Sequence, residues 1–442
     1  MKKFQLTYII LALLSFSAFA SAQENNKNIT FVGLEEISTH ISENDYINFI
    51  RTSLFDQPEF KYAVSLSAEQ EFNLKYARRG RFGVISGNVV NDESFERNIQ
   101  DTQSVRKRRD DSFDATVELR QPIYSGGKIN ADIRAAKSRA LNSSKQKQQT
   151  VSSLIREANN IYINAVSDDF LYNYSNNLLD ILRPFKDKVD DRIQSGIMDP
   201  IDAAIFSVRY SRIETLVYQL KSAAEVSRNN FSFFFKKSTV NPAFPKMEIN
   251  QSYIKIEKKS YEVDYAELQY EEKREGIKLA RSEYLPKFGI SARYTRYDID
   301  DDSNEDDIRG GLYLSVPLFS FGRGIAQINS ARAAAQASKN SINIAEKEDN
   351  VTESSIKSEF ENSIINKPYF LQAFKDTLNQ RQTIEYRLEL SGFAANALAE
   401  VILNEITQLK TLLDNEKVQL AGYLALLHQN QQLNNIFRID LK

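Results

Sequence analysis

Apolar and polar residues alternate around two prolines in this chain. Val117, Leu119 and Ile123 fall in one phase before and after Pro122, with Glu118, Arg120 and Tyr124 between them. Leu312, Leu314 and Leu318 do the same around Pro317, with Tyr313, Ser315 and Phe319 between. A period of two with one apolar face predicts strands. Each has an earlier companion: Phe288 to Thr295 alternates cleanly, whereas the run opening Phe82-Gly83-Val84 is interrupted by Ser86 and Asn88. The reading is a pair of hairpins with polar loops, Asn91 to Asp111 and Asp298 to Arg309. Their strands approach the ~9–11 residues of a tilted membrane strand.

Beyond each proline the period changes. Pro lacks a ladder donor and suits a strand end, and the glycines after it let the chain turn. Val151, Leu154, Ala158, Ile161 and Ala165 then step at helical spacing, as do Leu178, Leu182, Phe185 and Val189. Ile402, Ile406, Leu409, Leu413, Glu416, Leu420, Tyr423 and Leu427 continue a coiled-coil seam with one polar break. Both outgoing helices end at Ser-Gly, Ser195-Gly196 and Ser391-Gly392. Each spans about 70 residues, on the order of 100 Å if helical throughout. Asp199 and Pro200 suit the N-cap and first position of a returning helix. That helix is expected to run to about Lys237, and its counterpart from about Asn396 to Phe437. Pro184 and Pro368 fall inside the outgoing helices, where each costs ~3 kcal/mol or forces a kink unless the helix breaks.

The two halves are copies of one plan. Aligning Pro122 with Pro317 also aligns Gly127 with Gly322, Lys128 with Arg323, and Ala131, Ile133 and Ala136 with Ala326, Ile328 and Ala331. If the four strands lie in lipid, one chain cannot close a barrel, because about eight strands is the smallest that does. Open edges are not tolerated there, so the chain must oligomerise.

Composition narrows the chemistry. The chain has 442 residues, a net charge of -2, no cysteine and two histidines, His40 and His428. Thiolate catalysis, disulfides and most zinc sites are therefore out of reach, and the charge gives no reason to expect nucleic acid. Met1-Lys2-Lys3, the apolar run Leu6 to Ala20 and Ala20-Ser21-Ala22 follow the order of a secretory signal peptide cleaved near Ala22. No later run approaches the ~20 apolar residues of a membrane helix.

The duplicated strand-strand-helix-helix halves, the P-x-x-x-x-G-[KR] junctions and a Gly six residues before Asp202 resemble the TolC family of outer-membrane efflux proteins. The resemblance implies an α+β membrane protein: a homotrimer whose twelve-strand outer-membrane β-barrel continues as a long periplasmic α-helical coiled-coil barrel, with a mixed equatorial region. It implies an exit duct in the outer membrane of a Gram-negative bacterium, without catalysis, cofactor or metal, docking with a periplasmic adaptor and an inner-membrane transporter. The expected divisions are 1–22 signal peptide, 23–80 N-terminal helical and equatorial segment, 81–124 first hairpin and 125–237 first long helix pair with its tip near 195–200. They continue with 238–285 linker and equatorial helix, 286–320 second hairpin, 321–436 second helix pair with its tip near 391–400, and 437–442 the C-terminal end.

The family's tips carry acidic residues that narrow the closed duct. Asp202 holds that position, and Glu400 is its counterpart only if the second turn is lengthened by two residues. Rings of carboxylates would focus a negative potential, but Asp202 equally fits stabilisation of a helix start by the macrodipole. Gly196 and Gly392 are read as adaptor-docking tips and, together with that, as helix C-caps. Pro122, Gly127, Pro317 and Gly322 are strand-to-helix junctions. Asp298 to Asp307 holds seven acids, but an EF-hand loop would want Gly at 303 and Glu at 309, where Ser303 and Arg309 stand. It is read as a solvated loop, as is Arg106 to Arg109, facing anionic headgroups. Phe231, Phe233, Phe234 and Phe235 are expected to pack the equatorial region. The cargo stays open among a small molecule, a metal ion and a protein, that is, between efflux and type I protein secretion, and a secreted coiled-coil structural or adhesin rod is a competing class.

Overall fold

The computed structural model describes residues 28–29, 39–93, 111–237, 243–248, 259–299, 305–390 and 394–439. The signal peptide, Arg106 to Arg109, Asp300 to Asn304, most of the 238–253 linker and Gly392 lie outside the described residues. The chain divides into two compact units, one of residues 64–146 and 262–346, the other of residues 1–63, 147–261 and 347–442.

The first unit holds an antiparallel sheet of four strands, β3 (Val84–Glu93), β4 (Asp111–Ser125), β7 (Lys287–Arg296) and β8 (Asp306–Ser315), in the order β3-β4-β7-β8. The two hairpins are thus joined edge to edge through β4 and β7. Ile85 lies opposite Leu119, Leu119 opposite Ala292, Val117 opposite Tyr294 and Tyr294 opposite Ile308. The apolar phases of all four strands therefore coincide on one face. That face is open, with Ile85, Val89, Val117, Leu312 and Leu314 among the exposed apolar residues.

Pro122 corrects the expectation that it marks a strand end, because β4 continues to Ser125. The partner β3 has already stopped, its last pair being Val84 with Arg120, and the ladder to β7 shifts register between Pro122 and Tyr124. A bulge absorbs one residue, so strict alternation fails there. Tyr124, read as opposite in phase to Leu119, comes to lie across from Phe288 on the apolar face, their rings 5.8 Å apart. Gly289 sits opposite Pro122, where a Cβ would meet the Gln121 carbonyl oxygen at 2.3 Å.

In the same unit the start of α3 (Lys128–Gln194) packs on α5 (Tyr261–Ser282) through ion pairs. Arg134 Nε meets Glu275 at 2.8 Å and Lys145 Nζ meets Asp264 at 2.7 Å. Helices α1 (Glu43–Leu54) and α2 (Pro58–Arg79) precede the sheet in sequence.

The second unit is a helical bundle of the rest of α3, α4 (Pro200–Phe235), most of α6 (Arg323–Leu390), α7 (Ala395–Gln429) and the short α8 (Leu433–Ile436), with α1 against it. The short pairs β1 (Asn28–Ile29) with β6 (Met247–Glu248), antiparallel, and β2 (Thr39–Ile41) with β5 (Ala243–Pro245), parallel, complete it. The apolar members of the α7 seam, from Ile402 to Leu427, are each buried. Pro184 and Pro368 do not interrupt their helices. The final helix is shorter than expected: α7 ends at Gln429, Gln431 turns left-handed at φ 52°, and only α8 reaches towards Phe437. Phe231 and Phe235 pack with Phe49 and Tyr162, and Phe234 packs on Phe235, but Phe233 is 89 % exposed, on the opposite side of its helix.

His428 is buried near the end of α7, where its Nδ1 lies 2.7 Å from Ser152 Oγ. Burial, and then the nearby Arg156, pushes its imidazole down to about 4 from an ordinary 6.5. The unfolded chain therefore binds a proton that the folded one refuses, so stability is lost as pH falls from about 6.5 to about 4, by on the order of 3 kcal/mol. Urea midpoints followed by circular dichroism at 222 nm should fall across that window, and His428→Gln should flatten the slope.

Candidate functional site

The turn between α3 and α4 is built from local chemistry. Gly196 takes φ 66°, its N–H donates to the Ile193 carbonyl at 3.0 Å and the Ile197 N–H to that of Arg192 at 2.9 Å, the paired bonds of a Schellman C-cap. Asp199 then caps α4, its carboxylate accepting from the Ile201 N–H at 2.8 Å with Pro200 in the first helical turn. Asp202 follows in that turn and is exposed. Its charge near the helix N-terminus is favourable in any reading of its role.

Asp202 and Glu400 come to the same end of the α4–α7 pair, joined through Asn396. The Asn396 side chain donates to the Asp202 carbonyl at 3.0 Å, and Arg209 Nη1 donates to the Asn396 carbonyl at 3.1 Å. Arg209 Nε also pairs with the Glu400 carboxylate at 2.9 Å. Glu400 is thus neutralised within its own chain, while Asp202 enters the bonding through its backbone. No sequence pattern singles out Arg209 or Asn396, although Arg209 lies two helical turns beyond Asp202 on α4.

The same rule holds along α7. Glu405 is fully buried, bound by Arg381 Nε at 2.7 Å and by the Tyr174 hydroxyl. Burial first, and then this bond to Glu405, pushes the Tyr174 phenol well above its ordinary value. Glu416, the polar break in the seam, meets Lys367 Nζ at 2.8 Å with both side chains buried. Burial still pushes the Glu416 carboxyl above its usual range. Asp414 pairs with Lys410 at 2.9 Å. Every acid of α7 therefore holds a cation.

At the strand-to-helix junctions Gly127 and Gly322 take φ 82° and 83°, and their carbonyls accept the first helical bonds from Ala131 and Ala326, each at 3.1 Å. The halves differ just before: Gly126 has φ 64°, whereas its counterpart Phe321 adopts φ 50° and is 92 % exposed. Pro317 stands two residues beyond the end of β8 in an irregular segment, unlike Pro122 inside β4. Gly392 lies outside the described residues, so no geometry attaches to that glycine.

Comparison with solved structures gives the architecture a place. The chain matches CusC, known from a study of transmembrane channel formation, with a TM-score of 0.72 at 11% identity over 89% of this chain and 93% of that one. It matches VceC of Vibrio cholerae with a TM-score of 0.68 at 14% identity over 89% and 96%. The Campylobacter jejuni CmeC outer membrane channel matches with a TM-score of 0.69 at 12% identity over 90% and 89%. This is the fold of the outer-membrane efflux channels. Residues 255–347 match the family model described as Outer membrane efflux protein. No curated sequence matches the chain. The matched region, from α5 through the second hairpin into α6, carries the second copy of the junction.

An exposed ion pair of this kind contributes ~0.2–1 kcal/mol. Arg209→Ala should accordingly leave global unfolding almost unchanged but raise amide hydrogen exchange in residues 395–402 several-fold. Unaltered exchange there would show that the Asn396 bridge does not depend on Arg209.

Proposed function

We propose that the chain is one subunit of a passive exit duct in the outer membrane. Three copies pool their sheets into one twelve-stranded barrel and their helices into a periplasmic tube. The observation that carries this reading is the four-stranded sheet, with one open apolar face, one polar face, and edge strands β3 and β8 that have no further partner among the described residues. Lipid cannot satisfy a free strand edge, but a ring of identical copies can, β8 of one pairing with β3 of the next. The apolar face then meets acyl chains and the polar face lines water. The fold of CmeC and its relatives supports the same reading. The tips around Gly196 and Gly392 are the surface for a periplasmic adaptor, beyond which an inner-membrane pump supplies cargo. A signal peptide cleaved near Ala22 exports the chain in a Gram-negative cell.

The exposed Asp202 forms the periplasmic constriction in this duct, and the Arg209–Glu400 pair holds the closed turn. In the trimer three Asp202 carboxylates face one aperture and attract cations.

Two measurements test the proposal. The mature protein should resist extraction from membranes by salt, dissolve in detergent and run as an oligomer that converts to monomer on heating. A monomer freely soluble in buffer overturns the reading. Asp202→Ala combined with Glu400→Ala should raise single-channel conductance in planar bilayers, and unchanged conductance removes the gate while leaving the duct.

A further inference from the structure

We infer that the polar face of the sheet is divided by charge along its strands, and that its helix-proximal half forms an anion-binding belt inside the barrel. The inference rests on the reading of the sheet as barrel wall. Strand register defines the rows. Towards the loops stand Asp92, opposite Ser112, and Asp114, opposite Val90; then comes the row Asn88, Thr116, Thr295 and Asp307. Its charges are all acidic, and Asp114 is further tied to the Asp298 N–H at 3.2 Å. One row nearer the helices the sign reverses, with Ser86, Glu118, Arg293 and Arg309 in line. Arg120 follows opposite Val84 and Ser291, and Lys287 opposite Ser125 and Ser315. Glu118 is the one acid among these cations in the described strands.

Exposure decides which sign a solute meets. Glu118 keeps 20 % of its side chain exposed and Asp307 30 %, whereas Arg120 keeps 66 %, Arg293 50 % and Arg309 74 %. The carboxylates act as covered anchors: Arg120 Nε donates to Glu118 at 2.9 Å, Arg293 lies 3.6 Å from the same carboxylate, and Arg309 is held by Asp307. The guanidinium groups are thereby oriented while most of each fork stays open. A planar fork matches carboxylate and phosphate oxygens in pairs, so the ligand class is the multiply charged solute anion bearing such groups. Repetition around a three-fold axis turns the patch into a ring, whose potential is focused by low-dielectric walls.

Inorganic tripolyphosphate is the probe, applied to the full mature chain in planar bilayers at low salt, where screening is least. It should block the current of the wild-type channel, and Arg120→Gln/Arg293→Gln/Arg309→Gln should raise the half-blocking concentration on the order of tenfold. Arg309→Gln alone, at the most exposed position, should raise it less, and Glu118→Gln should lower it, so the result does not depend on the triple variant folding. Absent block in the wild type, or equal block in all variants that conduct, overturns the belt and leaves the duct standing. Failure of the wild-type protein to form any channel overturns the barrel reading and the belt with it.

Discussion

A strand at the margin of a sheet carries a row of backbone donors and acceptors that must find partners somewhere. Here β3 and β8 are both margins, and the sheet between them turns an apolar face outward along its whole width. Water could hydrate the margins but not the face, and lipid could cover the face but not the margins. In the proposed duct, joining margin to margin across copies inside a bilayer answers both demands. The glycine junctions and the long coiled helices are consistent with that solution, since they lead the chain away from the sheet in two matched places.

Within the helical unit, charge specifies how the helices pair. Three of the α7 acids reach partners on other helices: Glu400 selects Arg209 of α4, while Glu405 and Glu416 select Arg381 and Lys367 of α6. Buried pairs of this kind add little net stability over an apolar substitute, but leaving one member alone costs ~3–5 kcal/mol. A slip of α7 by one turn would strand Glu405 and Glu416 together, so we read them as setting register where an apolar seam alone would tolerate sliding. Asp168, holding Lys417 at 2.9 Å and Ser227 at 2.5 Å, ties α3 to α7 and α4 in the same manner.

Features fixed by a few adjacent residues were legible in the sequence. The Gly196 cap, the Asp199-Pro200 start and the α7 seam each depend on spacing within one or two turns. The sheet faces were legible in β7, β8 and β4 up to Leu119, but not in β3: Ser86 and Asn88 read as breaks in an apolar face, yet they stand on the polar one opposite Glu118 and Thr116, and the apolar phase is that of Ile85 and Val89. Alternation puts Tyr124 on the wrong face because a bulge adds a residue without any local mark beyond a proline. The break at Gln431 escaped because neither glycine nor proline announces it, and a left-handed glutamine is a tertiary outcome. A phenylalanine run reads in sequence as one cluster, but a helix sends its neighbours to different sides, and Phe233 faces away from the other three. At the tip, Asp202 and Glu400 were visible as acids, but the Arg209–Asn396 bridge joins residues on two helices far apart in sequence, and no pattern along one helix reveals it.

The two helix prolines differ in mechanical consequence. Each removes one backbone donor, so bending is cheapest at those points. Pro368 follows Lys367 directly, and the buried grip of Lys367 on Glu416 clamps that joint. Pro184, exposed like Pro368, lies ten residues before the end of α3 at Gln194, and among the described residues its neighbour Arg183 pairs only with the exposed Asp180 of the same helix. We therefore read the last turns of α3 as the more compliant of the two proline sites, because no described contact between helices seizes Arg183 beside Pro184 as Glu416 seizes Lys367.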